Sequence, residues 1–132
     1  MEDEWIGRAL GNTDKSLELL HRADRLSPRD PRTWFITTGL AMAYFNSERF
    51  AESVVCSKKA LAQNSRSAVA LRLLAAGLAR LGQKEQANDA VREVLKIEPQ
   101  LTISSLRTRM RMLEASVWAR LSEALRLAGL PE

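Results

Sequence analysis

The chain has 132 residues, is 45% hydrophobic but only 5% aromatic, and carries a formal net charge of +4. That length suits one domain with a modest core, and plentiful Ala and Leu beside few strand-favouring residues point to an all-α fold. No stretch reaches the roughly 18 to 20 uncharged apolar residues of a membrane span, the start Met1-Glu2-Asp3-Glu4 is acidic where a secretory signal is basic, and a single cysteine, Cys56, excludes an internal disulfide framework. A cytoplasmic protein is expected.

A first helix is predicted over residues 4–10, with Trp5, Ile6, Ala9 and Leu10 on its apolar side and Gly11 closing it. Asn12 or Thr13 caps a second over 14–26, where Leu17, Leu20 and Ala23 recur at spacings of three. Ser27-Pro28 and Asp30-Pro31 stop it, because each proline disfavours helix in the residue before it. The next helix covers 31–45, with Pro31 in its first turn and Trp34, Phe35, Leu40, Ala41, Met42, Tyr44 and Phe45 as its apolar set. Ser47 is the expected cap of a helix over 48–62. The polar break Asn64-Ser65-Arg66-Ser67 precedes a helix over 67–81 that closes at Gly82, and another over 84–97 that Pro99 ends. A short helix over 101–110, capped by Thr102, leads to a last one over 113–128. That helix ends at Gly129, with Leu130 placed for the apolar contact of a Schellman stop.

The middle elements repeat. Leu40, Ala41 and Tyr44 lie 34 positions before Leu74, Ala75 and Leu78, as Ala60 and Leu61 lie before Val94 and Leu95. A 34-residue unit with two amphipathic helices, a large–small pair in the first and small residues in the second resembles the tetratricopeptide repeat (TPR) family. In residues 34–67 the pattern falls on Thr37, Leu40, Ala41, Tyr44, Phe50, Ser53 and Ala60. In residues 68–101 it falls on Leu71, Leu74, Ala75, Leu78, Gly82, Ala87, Val94 and Pro99. An earlier half-unit fits through Gly11, Ser16, Ala23 and Pro28, offset by an insertion around residues 29–31. Departures are Thr37 and Lys84 in place of aromatics, Ser65 in place of proline, and Val94 in place of alanine.

The resemblance implies a right-handed α-solenoid of antiparallel helix pairs, about seven to eight helices in all, which presents a concave binding groove. Residues 1–30 would be a partial repeat, 31–67 and 68–101 two repeats, and 102–132 a degenerate pair capping the stack. The family's groove positions fall on Phe35, Thr38, Met42, Phe45 and Asn46 in one unit. In the next they fall on Val69, Arg72, Ala76, Ala79 and Arg80. The carboxylate clamp of chaperone-binding members is missing, since its sites hold Thr38, Gly39, Met42, Arg72, Leu73 and Ala76. A protein or peptide partner of mixed apolar and acidic character is expected, with self-association through the stack ends as a further possibility. A narrower likeness rests on Ser27-Pro28-Arg29-Asp30-Pro31, Gly39-Leu40-Ala41, Ile103-Ser104-Ser105-Leu106 and the tail 125–131. These are similar to the TPR module that follows the catalytic domain of proteobacterial class III adenylate/guanylate cyclases, which implies a regulatory role.

Catalytic chemistry finds no support. His21, the only histidine, has no partner set that makes a triad, and it lies in a different repeat from Cys56, the other soft ligand, so no zinc site is expected. The six glycines form no phosphate-cradling motif. The reading is a non-enzymatic scaffold without cofactor or metal. Alternatives are nucleic-acid binding through the Arg107–Arg111 strip, which has no aromatic beside it in sequence, and a small-ligand sensor using the groove.

The small residues carry the packing argument, because they let paired helices approach to the 8 to 10 Å of close contact. Ala75→Leu is therefore expected to overpack its interface and destabilise the fold by about 1–3 kcal/mol. Denaturant unfolding measures this, and an unchanged midpoint would contradict it.

Overall fold

A computed structural model describes residues 33–132, with side chains from Ile36 onward. Among these residues the chain is all-helical: α1 (Thr33–Asn46), α2 (Phe50–Gln63), α3 (Ala68–Arg80), α4 (Lys84–Ile97), α5 (Ile103–Arg109) and α6 (Ala115–Ala128). Every bound lies within two residues of its expected position where the sequence reading set one. The helices expected over 4–10 and 14–26, the caps Gly11, Asn12 and Thr13, the partial repeat, the insertion and His21 lie outside the described residues.

The helix ends repeat along with the sequence. At the end of α1 the amide of Glu48 donates to the Phe45 carbonyl (3.1 Å) and that of Arg49 to Tyr44 (2.9 Å). Thirty-four positions on, Gly82 donates to Ala79 (3.1 Å) and Gln83 to Leu78 (2.9 Å). Both are Schellman stops, in which a residue with positive φ turns the chain back over the last free carbonyls. The ends of the second helices match in the same way: the Asn64 amide donates to Ala60 and the Glu98 amide to Val94, both at 2.8 Å. Asn64 takes an extended conformation (φ −147°) much as Glu98 does (φ −127°), so the missing proline at Ser65 leaves the break in place.

Ser67 caps α3 by accepting from the Ala70 amide, and Thr102 caps α5 through a reciprocal capping box with Ser105. α6 ends as expected, with Gly129 at φ 102° and the Leu130 amide on the Leu125 carbonyl at 3.0 Å. Ser47 is a correction. It does not cap α2, whose N-cap is Arg49 without a side-chain capping bond. Its hydroxyl instead donates to the Ala43 and Tyr44 carbonyls, sealing the end of α1, because the Schellman turn places it there.

Each helix packs on the next from α1 to α4, and α1 also touches α3. α6 lies mainly on α3, with smaller contacts to α4 and α5. Ala41, Ser53, Ala60, Ala75 and Ala87 are completely buried where helices meet. Ser53 adds a bond the spacing did not reveal, its hydroxyl donating to the Ala41 carbonyl of the facing helix at 2.7 Å. Gly77 is mid-helix because a Cβ there would sit 2.8 Å from Cγ2 of Val54 on α2. α1 is buried almost all round, from Thr37 through Leu40, Ala41, Ala43, Tyr44 and Phe45, as expected of a helix apolar on every side.

The repeat exposes one local conflict. Glu48 holds φ 63° at the position where the next unit uses Gly82 at φ 80°. An L side chain in that region costs about 1–2 kcal/mol, and the Glu48 side chain is exposed. Glu48→Gly is expected to raise stability by about 0.5–1 kcal/mol, part of the relief being offset by the greater freedom of glycine in the unfolded chain. A urea midpoint at or below that of the parent chain would contradict the strain.

Candidate functional site

The residues carried over as groove lining divide by burial. Thr38, Phe45, Arg72 and Ala76 are buried, whereas Met42, Asn46, Val69, Ala79 and Arg80 are half-buried; the Phe35 side chain lies outside the described residues. Periodicity could not make this division, because a groove face and a core face have the same spacing.

Several of these residues meet at the end of the layer where α1 turns into α2. The Phe45 ring packs edge-on against Phe50 (centroids 5.3 Å, planes at 65°), and the Arg80 guanidinium lies over the same Phe50 ring at 5.5 Å. Arg80 thus reaches from α3 to cover an aromatic pair, a cation–π contact favoured by partial burial. Beside them the Asn46 carbonyl, a free acceptor at the end of α1, takes a hydrogen bond from the Arg120 guanidinium of α6. The Asn46 side-chain amide nitrogen is buried there without a hydrogen-bond partner. α6 is thereby tied both to α3, on which it packs, and to the last turn of α1.

Arg72 points elsewhere. Its buried guanidinium lies 3.4 Å from a carboxylate oxygen of Glu98, whose other oxygen receives a bond from Arg109 of α5 at 2.7 Å. Burial pushes the Arg72 pKa down; Glu98 opposes that shift and the positive charge of Arg109 adds to it. An arginine stays charged under such a shift, so Glu98 is the counter-charge that makes its burial tolerable. Glu98 is held in reach by the non-helical C-cap conformation that the following Pro99 favours. The bridge binds α3, the end of α4 and α5, residues 26 and 11 positions apart. Neither Glu98 nor Arg109 was singled out from the sequence for this role, because nothing in the 34-residue pattern marks it.

An open notch of about 620 Å³ lies beside this bridge, lined by Glu98, Pro99, Gln100, Leu101, Ser105 and Thr108 together with Arg109. Its polar side chains, Gln100 apart, are already engaged. Glu98 serves two arginines, the Ser105 hydroxyl belongs to the capping box of α5, and the Thr108 hydroxyl donates to the Ser104 carbonyl. The notch therefore presents an anchored joint between elements. Cys56 is half-buried and packs against the core. Among the described residues no helix is long and apolar enough to cross a membrane.

No protein-family model matches the chain, and no curated protein matches it.

The bridge makes a prediction with opposite signs. Glu98→Ala strands a buried guanidinium and should destabilise the fold by about 1.5–3 kcal/mol, the scale of a hydrogen bond to a charged group. Adding Arg72→Met should restore much of that loss, since an apolar side chain of similar reach needs no counter-charge. Additive losses in a double-mutant cycle by urea unfolding would show that the two side chains do not interact.

Proposed function

We propose that the chain is a TPR-type scaffold, a right-handed solenoid of antiparallel helix pairs that binds a protein or peptide segment and performs no catalysis. The observation that carries this reading is the double occurrence of the 34-residue period. It is present in the side-chain pattern, and it recurs in the hydrogen bonds that end both helices of each unit. Units of this kind bury their apolar faces only against their neighbours, which leaves a surface free for a partner. In this reading α5 and α6 cap the stack, and no cofactor or metal takes part. The likeness of the C-terminal region to the module that follows class III cyclase domains supports a regulatory placement in a cytoplasmic signalling protein.

On these terms the partner reads the half-buried residues of α1 and α3, chiefly Met42, Asn46, Val69 and Arg80, rather than the buried set. A photo-crosslinking amino acid placed at Met42 or at Val69 should capture one and the same partner in cells. The same probe at Val55, 65% exposed on α2, should not capture it. Equal capture from all three positions, or capture from Val55 alone, would refute an α1–α3 binding face.

A further inference from the structure

Residues 107–111 hold the densest run of positive charge in the chain, and no aromatic lies near them in sequence. The fold supplies one. α5 stops at Arg109, the chain turns through residues 110–114, and α6 brings Trp118 back beside the turn. Met110, Leu113 and Trp118 rest on the core as half-buried side chains and form the apolar wall of an open cleft of about 490 Å³, with Arg107 and Arg111 on its rim.

Three details describe the chemistry of this cleft. Arg109, between the two rim arginines in sequence, is bound to Glu98, but Arg107 and Arg111 are exposed and have no ion-pair partner among the described residues. The Trp118 indole N–H has no acceptor among the described residues either, although the ring is half-buried. Met112, in the same turn, is 83% exposed, more than any other large apolar side chain among the described residues.

Two free guanidinium forks select carboxylates, which they can hold by paired hydrogen bonds. An apolar wall with one free indole donor suits a large apolar side chain and the backbone carbonyl next to it. The cleft volume lies in the range of about 300–1,000 Å³ usual for sites that enclose a small group. Nucleic acid fits less well. A strand needs a basic track several phosphates long with rings laid out for stacking, and here two free arginines flank a single partly covered ring.

We propose that the α5–α6 cleft is a docking site for an acidic peptide segment, whose carboxylates engage Arg107 and Arg111 while one large apolar residue packs against Trp118, Met110 and Leu113. The site shares no residue with the α1–α3 face proposed above and does not depend on it.

The test is a titration of the full-length ¹⁵N-labelled chain with a short peptide in which glutamates flank a leucine–phenylalanine pair. The readout is the Trp118 indole N–H signal, assigned by its loss in Trp118→Phe. The signal should shift and saturate. Arg107→Glu combined with Arg111→Glu should weaken the affinity at least about tenfold, as expected when charge-assisted bonds are lost. Lys58→Glu combined with Lys84→Glu changes the net charge equally at exposed positions elsewhere and should leave the affinity within about twofold. No shift of the Trp118 signal, equal weakening by both double variants, or tighter binding of a thymidine oligonucleotide than of the peptide would each overturn the proposal. Because crosslinking from Met42 and Val69 reads a different surface, either proposal can fail without the other.

Discussion

How closely the helices approach decides most of what this chain does. Ala41 facing Ser53 between α1 and α2, and the buried Ala75 and Ala87 one repeat later, mark where backbones come near enough to exclude larger side chains. Gly77 shows the limit, since even one added carbon would collide with Val54. A buried side chain gains from dispersion contacts only while its neighbours stay at contact distance. The large residues Tyr44, Leu78 and Phe45 therefore depend on these small ones. The Ser53 hydroxyl takes the place of a carbon–carbon contact with a bond to an already-used helix carbonyl, which ties the pair together without widening it.

Charge closes what packing begins. Arginine is abundant, and the fold uses individual arginines for distinct tasks. Arg72 is buried against Glu98, Arg80 lies over Phe50, Arg109 joins α5 to Glu98, and Arg120 takes up the terminal carbonyl of α1. Arg120 satisfies a carbonyl at the end of α1, whereas Arg72 is itself the costly buried group, made tolerable by Glu98. The Glu98 bridge and the Arg120 contact hold the C-terminal pair, where the 34-residue pattern has stopped and apolar spacing no longer fixes the position of a helix. α5 has only seven residues, too few to hold itself by local hydrogen bonds alone. A capping box, the Glu98 bridge and the chain terminus, through the amides of Ile103 and Ser104 on the carbonyls of Pro131 and Glu132, keep it in place.

The same features shape the functional reading. A stack whose helices alternate in register offers a face for a partner, but here four of the carried-over face positions are buried and α6 lies on α3. The partner face proposed for α1 and α3 is narrower and less charged than the transferred pattern implies. Exposed charge also lies at Arg107 and Arg111, beside a tryptophan contributed by a different helix. Two surfaces of different chemistry on one small domain are compatible with a scaffold that holds a partner at one place and an acidic tether at another.

The sequence by itself determined the helices of residues 33–128, because period, caps and stops are local: Ser67, Thr102, Gly82 and Gly129 act through bonds to residues at most a few positions away. It determined the repeat as well, down to Ala41, Ala75 and Ala87, since close approach demands small residues at fixed spacing. It misplaced Ser47, whose role depends on a left-handed turn at a glutamate that composition does not announce. Only the tertiary structure decided that Phe45 and Ala76 are fully buried while Met42 and Val69 are half-buried. It alone brought together Arg72 and Glu98, 26 positions apart, Arg120 and Asn46, 74 apart, and Trp118 with the arginine strip. Such pairings follow from how whole helices lie on one another, and a one-dimensional pattern does not contain the angle at which α6 crosses α3.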